Sequence, residues 1–110
     1  MEDFLHTLRR KNVERTEEWC KGEEMDILYA SNEFAGEAGE VCNKIKKLVR
    51  EERGWVGSRT TLGELAEEIA DVLICLDSIA NILGIDIAQV VKVKFDMTSA
   101  ANGLSTRFEA

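Results

Sequence analysis

The chain contains no proline and a single histidine, His6. Without proline, no ring forces a helix to break and no proline-rich linker divides the chain. With one histidine, the Glu-x-x-His pairs of di-iron bundles are excluded, and Ser-His-Asp or Cys-His sites have little support. Three cysteines, Cys20, Cys42 and Cys75, lie far apart. They form no Cys-x-x-Cys pair, and an odd number cannot close fully into internal disulfides. They read as small apolar residues of a reducing, cytoplasmic setting. Positive charge is also scarce: 14 basic against 21 acidic residues leave a net charge of −7, which speaks against a nucleic-acid polymer or an anionic membrane as partner. No run of about 20 apolar residues offers a membrane span. The charged opening MEDFLHTLRR lacks the apolar centre of a signal peptide. P-loop and dinucleotide fingerprints are missing as well.

What remains is helical. A length of 110 residues with 45% apolar content suits one domain, residues 1–110, with one modest core. Apolar spacing predicts four helices. The first runs from about Glu2 to Cys20 on a thin stripe of Phe4, Leu5, Leu8 and Val13, with Lys21 and Gly22 ending it. Asp26 can cap the second, which runs to about Glu52 through Phe34, Ala38, Val41, Ile45 and Leu48. After the break RGWVGSR, the stretch Thr61-Leu62-Gly63-Glu64 matches a capping box opening the third, which reaches Leu83 and stops at Gly84. Asp86-Ile87-Ala88-Gln89 resembles another box for the fourth, ending near Asn102-Gly103. The tail LSTRFEA is expected to be loose or packed on a partner. No strand alternation, repeat or heptad run competes. The expected fold is all-α, a four-helix bundle with helices two and three as its central antiparallel pair.

The third helix reads IADVLICLDSIANIL from Ile69, apolar on nearly every face, the pattern of a helix buried all round. Four helices in a chain this short can hardly surround one of them, so part of that burial is expected from another subunit. Asp71 lies inside the run, where an isolated carboxylate would need a partner, a metal or a proton.

Two acidic pairs stand out. Glu37 and Glu40 are three apart on the second helix, flanked by Gly36 and Gly39; Glu68 and Asp71 share that spacing on the third. On antiparallel neighbours the four carboxylates can converge. An all-oxygen set suits Mg²⁺ or Mn²⁺, and the glycines leave room for close approach to the backbone. Glu33, one turn before Glu37, adds to the same charged stripe. Spacing alone leaves two readings open, a metal site or ordinary solvated helix faces, because such pairs arise by chance at this acidic content.

The segments GEAGEV and LAEEIADVLICL resemble the paired motifs, E-x-x-E on one helix and E-x-x-D on the next, of the MazG-like all-α nucleoside triphosphate pyrophosphohydrolases. The resemblance extends from Glu14 to Arg107, including ERTEEW and KVKFDMTSA. It implies that Glu37, Glu40, Glu68 and Asp71 bind Mg²⁺ and that a nucleoside triphosphate is cleaved between its α and β phosphates. It also implies a homo-oligomer, dimer or tetramer, with sites at subunit interfaces, and nucleotide-pool house-cleaning as the purpose. Two departures are visible. MazG carries a further acid where this chain has Gly36, and Glu33 could assist in its place. Many relatives have asparagine where this chain has Asp96, two residues after Lys94, which bears on base or sugar recognition.

Weaker candidates surround this set. Lys44 lies one turn after Glu40 and suits either a phosphate or an ion pair; the resemblance places Lys94 near the site. Trp19 and Trp55 could stack on a base or pack against protein, and Arg53 and Arg59 flank a glycine-bearing loop. The rival to an enzyme is a non-catalytic helical interaction module whose acids are merely solvated.

Overall fold

The computed structural model describes residues 3–109 and contains four helices: α1 (Phe4–Trp19), α2 (Ile27–Glu52), α3 (Leu62–Ile82) and α4 (Ile87–Ala101). No strand occurs among the described residues. Each helix starts at a side chain that accepts a first-turn amide: Asp3 from His6, Asp26 from Leu28, Thr61 from Glu64 and Asp86 from Gln89. At the Thr61 box the Thr61 hydroxyl accepts from the Glu64 amide at 3.1 Å, and the Glu64 carboxylate is held in turn by the Thr60 hydroxyl at 2.6 Å and the Thr61 amide. Gly84 ends α3 at φ 69°, a conformation that costs glycine nothing. The first helix stops one residue short of Cys20, which caps it, and Lys21 and Gly22 turn the chain with positive φ. The expected start at Glu2 lies outside the described residues.

The α2–α3 pair is the backbone of the molecule. Lys44 meets Glu64 at 3.8 Å, and the Cys75 thiol meets Glu33 at 3.6 Å. These contacts are separated by the same number of residues on both helices, in opposite directions. The pair is therefore antiparallel in constant register, and that register sets Glu37 opposite Asp71 and Glu40 opposite Glu68.

α1 crosses α3 on a set of polar contacts. Asp77, only 2% exposed, accepts from Arg9 Nε at 2.9 Å and from the Asn12 amide at 3.2 Å. Asn12, itself buried, also donates to the Ile74 carbonyl and lies 3.0 Å from the Ser78 hydroxyl. The buried acid of α3 is thus Asp77, while Asp71, expected inside the apolar run, faces solvent in the single chain. α4 leaves α3 at 102° and packs on α1.

The tail corrects another expectation, since it folds back on α4. The amides of Phe108 and Glu109 donate to Asp96, and the Phe108 ring meets Phe95 edge-on at 5.1 Å.

The result is a splayed shape, 48 × 46 × 27 Å, with a radius of gyration of 17.5 Å; a folded chain of this length would ordinarily have about 13 Å. Its accessible surface is 8111 Å², against roughly 6,100 Å² for a folded monomer of this mass. Apolar side chains of α3 and α4, among them Ile69, Leu76, Ile82, Val90, Val93 and Met97, are exposed. No single helix is long and apolar enough to cross a membrane.

Candidate metal and nucleotide site

Glu37 comes from the middle of α2, and Glu68 and Asp71 from successive turns of α3. One carboxylate oxygen from each lies within 4.8 Å of the others. Glu37 and Glu68 are half-buried and Asp71 is exposed. The Glu37 carboxyl is raised above the usual carboxylate range, first by its hydrogen bond to Glu68, then by burial, then by the negative charges of Asp71, Glu68 and Glu33. Among the described residues no basic side chain forms an ion pair with this cluster, and the nearest lysine on α2, Lys44, is directed to Glu64.

The donor set fits a hard divalent cation. All three ligands are carboxylate oxygens, and Mg²⁺–oxygen bonds of about 2.1 Å place neighbouring ligands about 3–4 Å apart. A small inward rotation of these side chains would close the gap.

Glu40 is exposed and stands outside the three-carboxylate cluster, although the register sets it opposite Glu68. Glu33 lies on the other side of Glu37 and accepts from the Cys75 thiol. Burial, followed by the charge of Glu33, pushes that thiol up to about 12, so it stays protonated and donating. A Cβ at Gly36 or Gly39 would meet nothing within 4 Å; this chain's own helices do not make the close approach expected there.

Beside the cluster runs a cleft of about 310 Å³, walled by α1 on one side and the α2–α3 pair on the other. Glu33, Glu37 and Asp71 line it together with Trp19, Tyr29, Arg15, Asn12, Cys75 and Ser78. Trp19 is 73% exposed, so its ring is a free wall of the cleft rather than part of a core. Trp55 lies elsewhere, under the Arg53 guanidinium at 5.1 Å. Lys94 is exposed on α4, and Asp96 is occupied by the tail amides. A larger cavity, about 480 Å³, opens on the other side of Asn12 and is walled by Glu17, Glu23, Glu24 and Asn81.

Sequence reasoning missed Arg15, Tyr29, Cys75 and Ser78 as cleft residues. Arg15 and Trp19, four apart on one helix, carried a usable signal. The others are brought in only by the crossing of α1 over the pair.

The model of the MazG nucleotide pyrophosphohydrolase domain matches residues 29–105, which include both acidic motifs and leave α1 outside. The chain is similar to the Gene 37 protein of Mycobacterium phage L5, with 31% identity over 66 residues. That match covers 60% of this chain and 57% of the phage protein, so the chain spans little more than half the length of this relative. No solved structure matches at a significant level.

Proposed function

The chain belongs to the MazG nucleotide pyrophosphohydrolase domain family, and on that premise we propose that it hydrolyses nucleoside or deoxynucleoside triphosphates to the monophosphate and pyrophosphate, with Mg²⁺ as cofactor and Mn²⁺ as substitute. The observation that carries this reading is the convergence of Glu37, Glu68 and Asp71 beside an aromatic-walled cleft. Solvated acids on unrelated helix faces would diverge. These converge closely enough that Glu68 and Asp71 help to hold the Glu37 carboxyl above the usual carboxylate range.

Glu37, Glu68 and Asp71 would hold the cation, with Glu40 completing the set or serving as base. When bound, Mg²⁺ neutralises phosphoryl charge and acidifies a water. Trp19 and Tyr29 offer aromatic faces to a base. Glu40, outside the cluster and open to solvent, would in the second of these roles accept the proton of the attacking water. That water's oxygen bonds to the α phosphorus, the bond to the β-bridging oxygen breaks, and its electron pair leaves with pyrophosphate.

The exposed apolar faces of α3 and α4 support a homo-oligomer, dimer or tetramer. The surface excess of roughly 2,000 Å² over an ordinary monomer is the size of a specific interface. Light scattering on the purified chain reads this directly. Three free cysteines suit a reducing cytoplasm, and nucleotide-pool house-cleaning is the role we assign.

A pyrophosphate-release assay over a panel of nucleoside triphosphates with MgCl₂ tests the activity. Turnover of at least one nucleotide is expected. Glu40→Gln and Asp71→Asn should each reduce it at least ~100-fold with unchanged helix content. Full activity in both variants, or no cleavage of any nucleotide, would refute the assignment in favour of a non-catalytic module.

A further inference from the structure

We propose that Arg15 is the substrate-binding cation of the cleft, gripping the β and γ phosphates that depart as pyrophosphate. This rests on the pyrophosphohydrolase reading and adds to it a residue of α1, a helix outside the family match.

Three observations converge on this side chain. Arg15 lines the same cleft as Glu33, Glu37 and Asp71, and it is the only cation among the residues that do. Among the described residues it is also the one arginine with no engagement. Arg9 is bound to Asp77, Arg10 to Glu14, Arg50 to Ser58, Arg59 to the Gly57 carbonyl and Arg107 to the Leu104 carbonyl, while Arg53 covers Trp55. Finally, the lysine closest in sequence to the acidic motifs is already spent, with Lys44 on Glu64.

The electrostatics call for such a group. The α2–α3 wall is acidic and suits cations; a triphosphate brought to it presents its remaining charge to the opposite wall, which is α1. A planar guanidinium offers paired donors that match phosphate oxygens, and its charge survives at any working pH. Negative charge grows on the β-phosphate oxygen as the bond to the α phosphorus breaks, so a cation there favours the transition state over the bound substrate. Arg15 is one turn from Trp19 on the same helix, so α1 would present a phosphate clamp and a base platform side by side.

The test is the affinity of magnesium pyrophosphate and of the four deoxynucleoside monophosphates, measured calorimetrically for wild type, Arg15→Gln and Arg15→Lys. Because Arg15 is exposed, both variants should melt at the wild-type temperature. Arg15→Gln should weaken pyrophosphate binding roughly 10- to 100-fold, the range for a hydrogen bond to a charged group. It should leave the best-bound monophosphate within about twofold, and Arg15→Lys should recover only part of the loss, because it keeps the charge and not the fork. Wild-type pyrophosphate affinity in Arg15→Gln, equal losses for pyrophosphate and monophosphate, or no pyrophosphate binding by wild type would each overturn the assignment. A wild type that cleaves triphosphates while Arg15→Gln matches it in every constant removes Arg15 alone. A wild type that cleaves none removes the underlying activity.

Discussion

Two acids of α3 less than two helical turns apart meet opposite treatment. Asp77 is sealed against α1 and receives Arg9 and Asn12. Asp71 faces Glu37 and Glu68, with no basic side chain of its own chain within ion-pairing distance among the described residues. The first arrangement is complete: charge, hydrogen bonds and burial balance within the fold. The second is incomplete by the same standard, because three negative groups are brought together and left to repel. The fold pairs one carboxylate thoroughly and leaves the next ones crowded, which is the asymmetry the proposed cation site calls for.

The contrast is broken most severely by emptying the finished site. Arg9→Ala leaves Asp77 buried without its counter-charge. Because Arg9 keeps 23% of its side chain exposed, the expected loss is about 3 kcal/mol, the low end for breaking a buried pair, read by urea unfolding. Next in size is completion of the unfinished site. MgCl₂ at 100 times its dissociation constant should stabilise wild type by about 2.7 kcal/mol, raising its melting temperature, and Glu68→Gln should remove that gain. Smaller and opposite in sign is Glu68→Gln without metal, which relieves one repulsion and should stabilise the chain by ~0.5 kcal/mol. A destabilised Glu68→Gln would mean that the carboxylates support the fold as Asp77 does, and the contrast would collapse.

How far these two sites could be read in advance differs for a physical reason. The starts at Asp26, Thr61 and Asp86 and the stop at Gly84 were legible because capping is local chemistry within four residues. The convergence of Glu37, Glu68 and Asp71 was nearly as legible, since periodicity on two antiparallel helices brings the matching stripes together. What failed was whatever depends on rotation or crossing. Spacing also grouped Glu40 with the other three, and in the single chain it stands outside their cluster. Asp77 was invisible as a hub because its partners come from α1, whose thin apolar stripe gave no sign that a buried asparagine and an arginine would fasten it. Asp96 stands where the resemblance expects an asparagine, and in the single chain its carboxylate accepts from the amides of the returning tail.

The mildest probe of the contrast lies at the seam between α1 and α4, where charge is finished only conditionally. His6 stands between two helix caps, with Nδ1 3.0 Å from Asp3 and Nε2 3.0 Å from Asp86. Its hydrogen bond to Asp86 raises it above the ordinary histidine value, helped by the charges of Asp3 and Asp86. Both acids are lowered, Asp3 chiefly by the His6 amide and Asp86 chiefly by the His6 ring. For His6, a folded value above the unfolded 6.5 means the seam's contribution is full below 6.5 and fades as pH rises through the raised value. For the two acids the sign reverses: their contribution is present above the unfolded 3.8 and fades as pH falls through their lowered values. Wild type should therefore be most secure between these limits, and its melting temperature should decline on the alkaline side. In His6→Gln that decline should vanish while the acid limb weakens but persists. Because all three groups are exposed, the change should be small and should shrink further with added salt. Superimposable alkaline limbs for wild type and His6→Gln would show that the seam ignores the ring's charge, leaving Arg9 on the Ile85 carbonyl and apolar packing to hold α4 in place.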